Sequence, residues 1–196
     1  MICWTSPTTP FGRKVRMFAI EKGVADKIDW RAVDPWNDPA LQEKNPIQKI
    51  PTLEVDASTR LYDSRVIVAY LETLDGPNLV PAATRFDHLR FEAMADQYCE
   101  SGVLRIRENF RPEPQRSPDW IERQRGKQQR VLDALEADAD KLTDTPTLAA
   151  IAVAAALGYA DLRFTAEDWR ATRPRLAAWH ARFAQRPSYQ QTMPPS

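Results

Sequence analysis

Ile2-Cys3-Trp4-Thr5-Ser6-Pro7-Thr8-Thr9-Pro10-Phe11-Gly12-Arg13-Lys14-Val15-Arg16 is the stretch that decides the fold. Ile2 to Thr5 reads as a short strand. Ser6 to Pro10 is rich in turn formers. Thr9-Pro10 has the form of a helix start, with a hydroxyl residue at the N-cap and proline at the first helical position. Val15, Met17, Phe18 and Ala19 supply the apolar face of that helix, and Gly23 ends it.

Reading outward, Ile28, Trp30 and Val33 alternate as in a second strand. Pro39 to Lys44 fits one short helix. Pro51 to Val55 and Arg60 to Tyr62 read as two further strands joined by the Asp56-Ala57-Ser58 turn. Asp63-Ser64 then caps a helix whose apolar residues Val66, Ile67, Tyr70, Leu71 and Leu74 recur at helical spacing. The order β-α-β-α-β-β-α predicts an α/β unit with a mixed sheet over residues 1–75. Asp75-Gly76-Pro77-Asn78 and Val80-Pro81-Ala82-Ala83 break the pattern, so 76–83 reads as a linker. Residues 84–196 read as all-helical, with helices over 84–109, 120–141, 147–162 and 173–185. Leu148 to Ala156 is almost wholly apolar and predicts a helix inside the domain. Pro187 and Pro194-Pro195 suggest an extended tail.

Composition narrows the function classes. The chain has 27 basic and 27 acidic residues, so its net charge argues for neither nucleic acid nor an anionic membrane as partner. Cys3 and Cys99 form no CxxC, and His88 and His180 belong to no metal-binding pattern, so no metal site is expected. No GxSxG elbow is present. No apolar run approaches the ~18 residues of a membrane span, and Met1 to Ser6 lacks the flank and run of a signal peptide. A cytoplasmic, soluble protein is expected.

Three segments together resemble the cytosolic glutathione S-transferase superfamily, in its bacterial form with a Ser/Thr first-loop residue. Ser6 to Arg16 resembles the first loop and helix of that family. Asn45-Pro46-Ile47-Gln48-Lys49-Ile50-Pro51-Thr52-Leu53 is similar to its Asn-Pro…Val/Ile-Pro-x-Leu segment. Asp63-Ser64 with Val66 to Leu71 is similar to its Glu/Asp-Ser-x-x-Ile…Tyr-Leu helix. Pro146 to Ala152 and Leu157 to Asp161 resemble its buried sixth helix. One residue departs from the pattern. The family's Ser/Thr-x-x-Asp capping box keeps Thr147 but has Ala150 in the acid position, which predicts a less stable helical domain.

The resemblance implies a thioredoxin-like domain followed by the family's all-helical domain, with glutathione as co-substrate. Thr9 aligns with the hydroxyl that partners the thiolate in serine-type transferases. Hydrogen bonding to a charged form lowers its pKa, and the helix start adds positive dipole. Ser6 and Thr8 are rivals for that role, the Phe11 backbone N–H is a second donor, and a purely capping role for Thr9 is the alternative. Ile50-Pro51 is implied to be cis and to pair with the cysteinyl unit. Lys49 stands near the glycine carboxylate. Ser64, at a helix N-terminus, and Asp63 would meet the γ-glutamyl carboxylate and ammonium.

The implied reaction is conjugation of glutathione to a small hydrophobic electrophile, or a related glutathione-dependent step, by a homodimer. Two other readings fit the same fold: a non-catalytic glutathione-binding or interaction protein, and a glutathione-dependent disulfide reductase or peroxidase. The last prefers a first-loop cysteine, and Trp4 to Arg16 has none. Arg105, Arg107 and Arg111 are candidates to face the electrophile. Trp36 is expected to pack, and Cys3 and Cys99 to be buried small hydrophobes.

Overall fold

The computed structural model describes residues 1–195. Its first half contains β1 (Ile2–Thr5), α1 (Pro10–Lys22), β2 (Asp29–Ala32), α2 (Pro39–Lys44), β3 (Thr52–Glu54), β4 (Arg60–Leu61) and α3 (Ser64–Glu72). The four strands form one sheet in the order β2-β1-β3-β4. β1 and β2 are parallel, as a helical crossover through α1 requires, and β3 runs antiparallel to both β1 and β4. This is the thioredoxin-like arrangement. Cys3, Phe18, Leu53, Ile67 and Leu71 are fully buried between the sheet and the helices.

The second half is helical: α4 (Arg85–Asn109), α5 (Pro118–Ala137), α6 (Leu148–Arg163), α7 (Pro174–Phe183) and α8 (Pro187–Gln190). α6 is buried along nearly its whole length and lies against both α4 and α1. Thr147 Oγ1 accepts from the Ala150 N–H at 3.3 Å, so the hydroxyl half of the capping box is made. The Leu148 N–H, another donor of that first turn, reaches the Leu79 carbonyl at 2.9 Å. No helix among the described residues is long and apolar enough to cross a membrane.

The expected extended tail is corrected at Pro187. Pro187 opens α8 instead of ending order, because proline suits a first helical turn. Tyr189 is buried under the Arg13 guanidinium, 4.1 Å from its ring centroid. Arg186 and Ser188 both bond the Glu21 carboxylate, so the chain end is bound to α1.

The connection from α3 to α4 is pinned by charge and by one glycine. Lys22 Nζ donates to the Glu72 and Pro77 carbonyls, each at 2.9 Å. Gly76 has φ 136°, and a Cβ there would lie 2.2 Å from the Lys22 carbonyl oxygen. Gly76→Ala is therefore expected to cost about 1–3 kcal/mol from backbone strain alone, read as a lower urea midpoint at unchanged slope.

His180 is buried, with Nε2 3.1 Å from the Tyr189 hydroxyl. Burial pushes its pKa down to about 4, against the pull of Asp161, while Arg170 and Arg13 add to the depression. The folded chain thus holds this proton less tightly than the unfolded chain does. Stability rises with pH across about 4 to 6.5, is complete above that window, and is lost as pH falls through it. The expected loss at the acid end is about 3 kcal/mol. Asp161, hydrogen-bonded by Arg170 and Trp169, is held below its ordinary range despite burial and adds acid sensitivity of the same sign. Denaturant unfolding at stepped pH should show a flatter curve for His180→Gln than for the wild type.

Candidate active site

The loop between β1 and α1 separates its three hydroxyls by what they already bond. Ser6 Oγ and Thr8 Oγ1 lie 3.3 Å apart, and the Thr8 N–H points to Ser6 Oγ at 3.4 Å. Thr9 occupies the N-cap position with extended φ and ψ, yet its side chain makes no capping hydrogen bond. Its methyl faces Gly12, where a Cβ would sit 2.7 Å from Thr9 Cγ2 and 2.0 Å from Thr5 Oγ1. Glycine at position 12 is what lets the helix come this close to the loop. The Thr9 hydroxyl is thereby left unengaged by the helix end.

Two cavities meet beside this loop. The smaller, of about 260 Å³, is lined by Phe11, Lys49, Ile50, Pro51, Asp63 and Ser64. All six residues singled out for glutathione thus converge on one space, although they come from three separate segments. The larger, of about 680 Å³, takes in Ser6, Thr8 and Thr9 and falls in the ~300–1,000 Å³ range of small-molecule sites. Phe11, Lys49, Ile50 and Glu100 line both cavities, so the two spaces adjoin.

Each wall is braced. The Ile50-Pro51 peptide is cis. Asn45, fully buried, donates from Nδ2 to the Lys49 carbonyl and to Thr52 Oγ1, each at 2.9 Å, while its Oδ1 accepts from the Ile47 N–H at 3.0 Å. Asp63 caps α3 by accepting from the Arg65 N–H at 2.9 Å. Ser64 is buried beside it at the first helical position. Lys49 is exposed, 3.6 Å from Glu100.

Sequence reasoning missed the residues that close the smaller cavity from α4: Asp96, Gln97 and Glu100. They carry no motif, and only their polar character on an otherwise half-buried helix marks them. Asp96 is itself held by Lys14 Nζ at 2.8 Å and by Arg65 Nε at 2.8 Å.

The three arginine candidates divide. Arg107 lines the larger cavity and lies 4.0 Å above the Trp36 ring. Arg105 turns inward, bonding Gln128 Oε1 at 2.6 Å and pairing with Glu167. Arg111 pairs with Glu108 at 3.4 Å. Trp36, expected to pack, is 59% exposed at the cavity. The buried thiols are inert: burial pushes Cys3 up to about 12 and Cys99 well above its ordinary value. Tyr159, in the wall of the larger cavity, is likewise held protonated by burial.

A thioredoxin-like sheet whose first loop, proline turn and α3 terminus open on one cavity, backed by an all-helical domain, defines a glutathione transferase-type protein. The chain belongs to the glutathione S-transferase family. The family's N-terminal domain model matches residues 8–74 and its C-terminal domain model residues 118–182. The GST-like protein YibF of Escherichia coli K12 is 36% identical over 97% of this chain and 96% of its own length. A glutathione transferase family member from Pseudomonas fluorescens Pf-5, solved with bound glutathione, is 36% identical. It superposes with a TM-score of 0.96 over 100% of this chain and 99% of that one. A glutathione S-transferase from Methylobacillus flagellatus, solved with glutathione, is 34% identical over 99% of each chain with a TM-score of 0.92.

Proposed function

We propose that this protein is a cytoplasmic glutathione transferase that binds glutathione in the smaller cavity and ionises its thiol at Thr9. The thiolate then attacks a small apolar electrophile in the larger cavity. The supporting observation is the convergence of six residues from three segments on one cavity, adjoining a second that holds an unengaged threonine hydroxyl. The two bacterial relatives solved with glutathione support the choice of ligand.

In this reading Ser64 and the N–H groups at the start of α3 hold the γ-glutamyl carboxylate, and Asp63 its ammonium. The Ile50 backbone before Pro51 pairs with the cysteinyl unit, and Lys49 meets the glycine carboxylate. The thiol, ordinarily near ~8.5, loses its proton to solvent. The Thr9 hydroxyl donates to the resulting sulfur anion, with the Phe11 N–H and the α1 dipole behind it. A hydrogen bond to a charged group stabilises it by about 1.5–3 kcal/mol, or ~1–2 units of thiol pKa. A carbon–sulfur bond then forms and the electrophile's leaving group departs, or its double bond takes up a proton. Val66 on α3 and Phe86 on α4 each expose an apolar side chain, in keeping with a homodimer.

Calorimetric titration of glutathione, with thiolate absorbance followed against pH on the same complex, tests the proposal. The expected result is saturable binding with the bound thiol pKa lowered by at least ~1 unit. Binding with an unshifted thiol would point to a carrier, and no binding would sink the reading altogether.

A further inference from the structure

The wall of the larger cavity is apolar and aromatic over much of its length, with Val103, Ile106 and Phe110 facing it from α4 and its end. Two guanidiniums interrupt that surface, Arg107 and Arg163. Neither has a carboxylate partner among the described residues, whereas the neighbouring Arg105 and Arg111 each have one. The cavity's own acids have other partners. Glu100 faces Lys49 at 3.6 Å. The Asp34 carboxylate accepts from the Trp36 N–H at 2.9 Å and from Asn37 Nδ2 at 2.6 Å.

Arg107 is also oriented. Its guanidinium carbon lies 4.0 Å from the centroid of the Trp36 ring, a cation–π contact. The N–H groups of a guanidinium lie along its edge as an in-plane fork of donors that matches a carboxylate. An uncharged apolar substrate makes no use of that edge.

Resting on the transferase reading above, we propose that the second substrate is an apolar-bodied electrophile carrying one carboxylate, which Arg107 and Arg163 receive. The apolar wall and the exposed ring of Phe110 take the body, the thiolate side faces Thr9, and the acid group lies toward the two arginines. This narrows the substrate from any hydrophobic electrophile to an organic acid.

The test uses two conjugates that differ only in charge, S-(4-carboxybenzyl)glutathione and the neutral S-(4-carbamoylbenzyl)glutathione, with glutathione itself as reference. Calorimetry on the wild type should give the acid an affinity about tenfold above the amide, the scale of one charge-assisted hydrogen bond. In Arg107→Gln/Arg163→Gln the ratio should fall to about one. Equal affinities in the wild type while glutathione binds would overturn this proposal and leave the transferase reading standing. A ratio that survives in the double variant would remove the two arginines from the role. Failure of glutathione and both conjugates to bind would overturn the transferase reading, and the proposal with it.

Discussion

Lys14→Met should lower the unfolding free energy by about 3–5 kcal/mol, the cost of removing one partner from a buried ion pair. Lys14 sits on α1 with its side chain 2% exposed, and Nζ donates at 2.8 Å to Glu92 and at 2.8 Å to Asp96 on α4. Arg65 on α3 completes the cluster by donating to Asp96 at 2.8 Å. With the ammonium gone, Asp96 keeps a cation but Glu92, 3% exposed, keeps none. The loss is a desolvated carboxylate without compensation, far more than a surface ion pair contributes. For a chain of this size it corresponds to a fall in Tm of roughly 6–20 °C. Lys14→Met/Glu92→Met should recover more than half of the loss, because an apolar pair of similar volume is no worse than a buried ion pair. A double variant no better than Lys14→Met would show that the lysine stem, not its charge, holds α1 to α4.

Thr9→Ala should return the thiol of bound glutathione to its solution range and reduce turnover near neutral pH by about 10–100-fold. The hydroxyl has no capping bond to lose, so stability should stay within about 0.5 kcal/mol of wild type. Ground-state binding should also change little, because the six glutathione-binding candidates in the smaller cavity are untouched. The sign of the pH dependence distinguishes this role from mere packing. Hydrogen bonding lowers the thiol pKa in the wild type, so its advantage is greatest between the lowered and the free pKa. It should narrow as pH rises above ~8.5, where the unassisted thiol ionises by itself. Thr9→Ser should retain most activity. A uniform loss at all pH values, or a Thr9→Ser variant as poor as Thr9→Ala, would transfer the role to Ser6, Thr8 or the Phe11 N–H.

The elements that carry local signals were readable from the chain. Proline at a first turn, glycine at a helix end, the alternation read at Ile28, Trp30 and Val33 and the apolar run of 148–156 each act within a few residues. The observed elements accordingly fall within a few residues of the expected ones. Pro187 is ambiguous in sequence because the same residue breaks a helix interior and opens a helix start, and only the docking of Tyr189 beneath Arg13 decides between them.

The arginines show the limit most clearly. Arg105 and Arg107 are two positions apart on α4, which turns them by about 200° around the helix axis. One enters the buried Gln128–Glu167 network and the other lines the cavity. Periodicity alone could not assign them, since α4 mixes buried charged residues such as Glu92, Asp96 and Glu108 with apolar ones.

The sequence by itself determined the order of elements, the division into a mixed α/β half and a helical half, and the three segments that face glutathione in the proposed function. Those follow from capping, backbone restriction and hydrophobic period, all of them short-range. Only the tertiary structure decided that Asp96, Gln97 and Glu100 close the cavity, that Lys14 is buried between two carboxylates, and that Thr9 rather than Ser6 or Thr8 has an unengaged hydroxyl. These depend on which side chains meet across α1, α3 and α4, and no spacing along the chain encodes that.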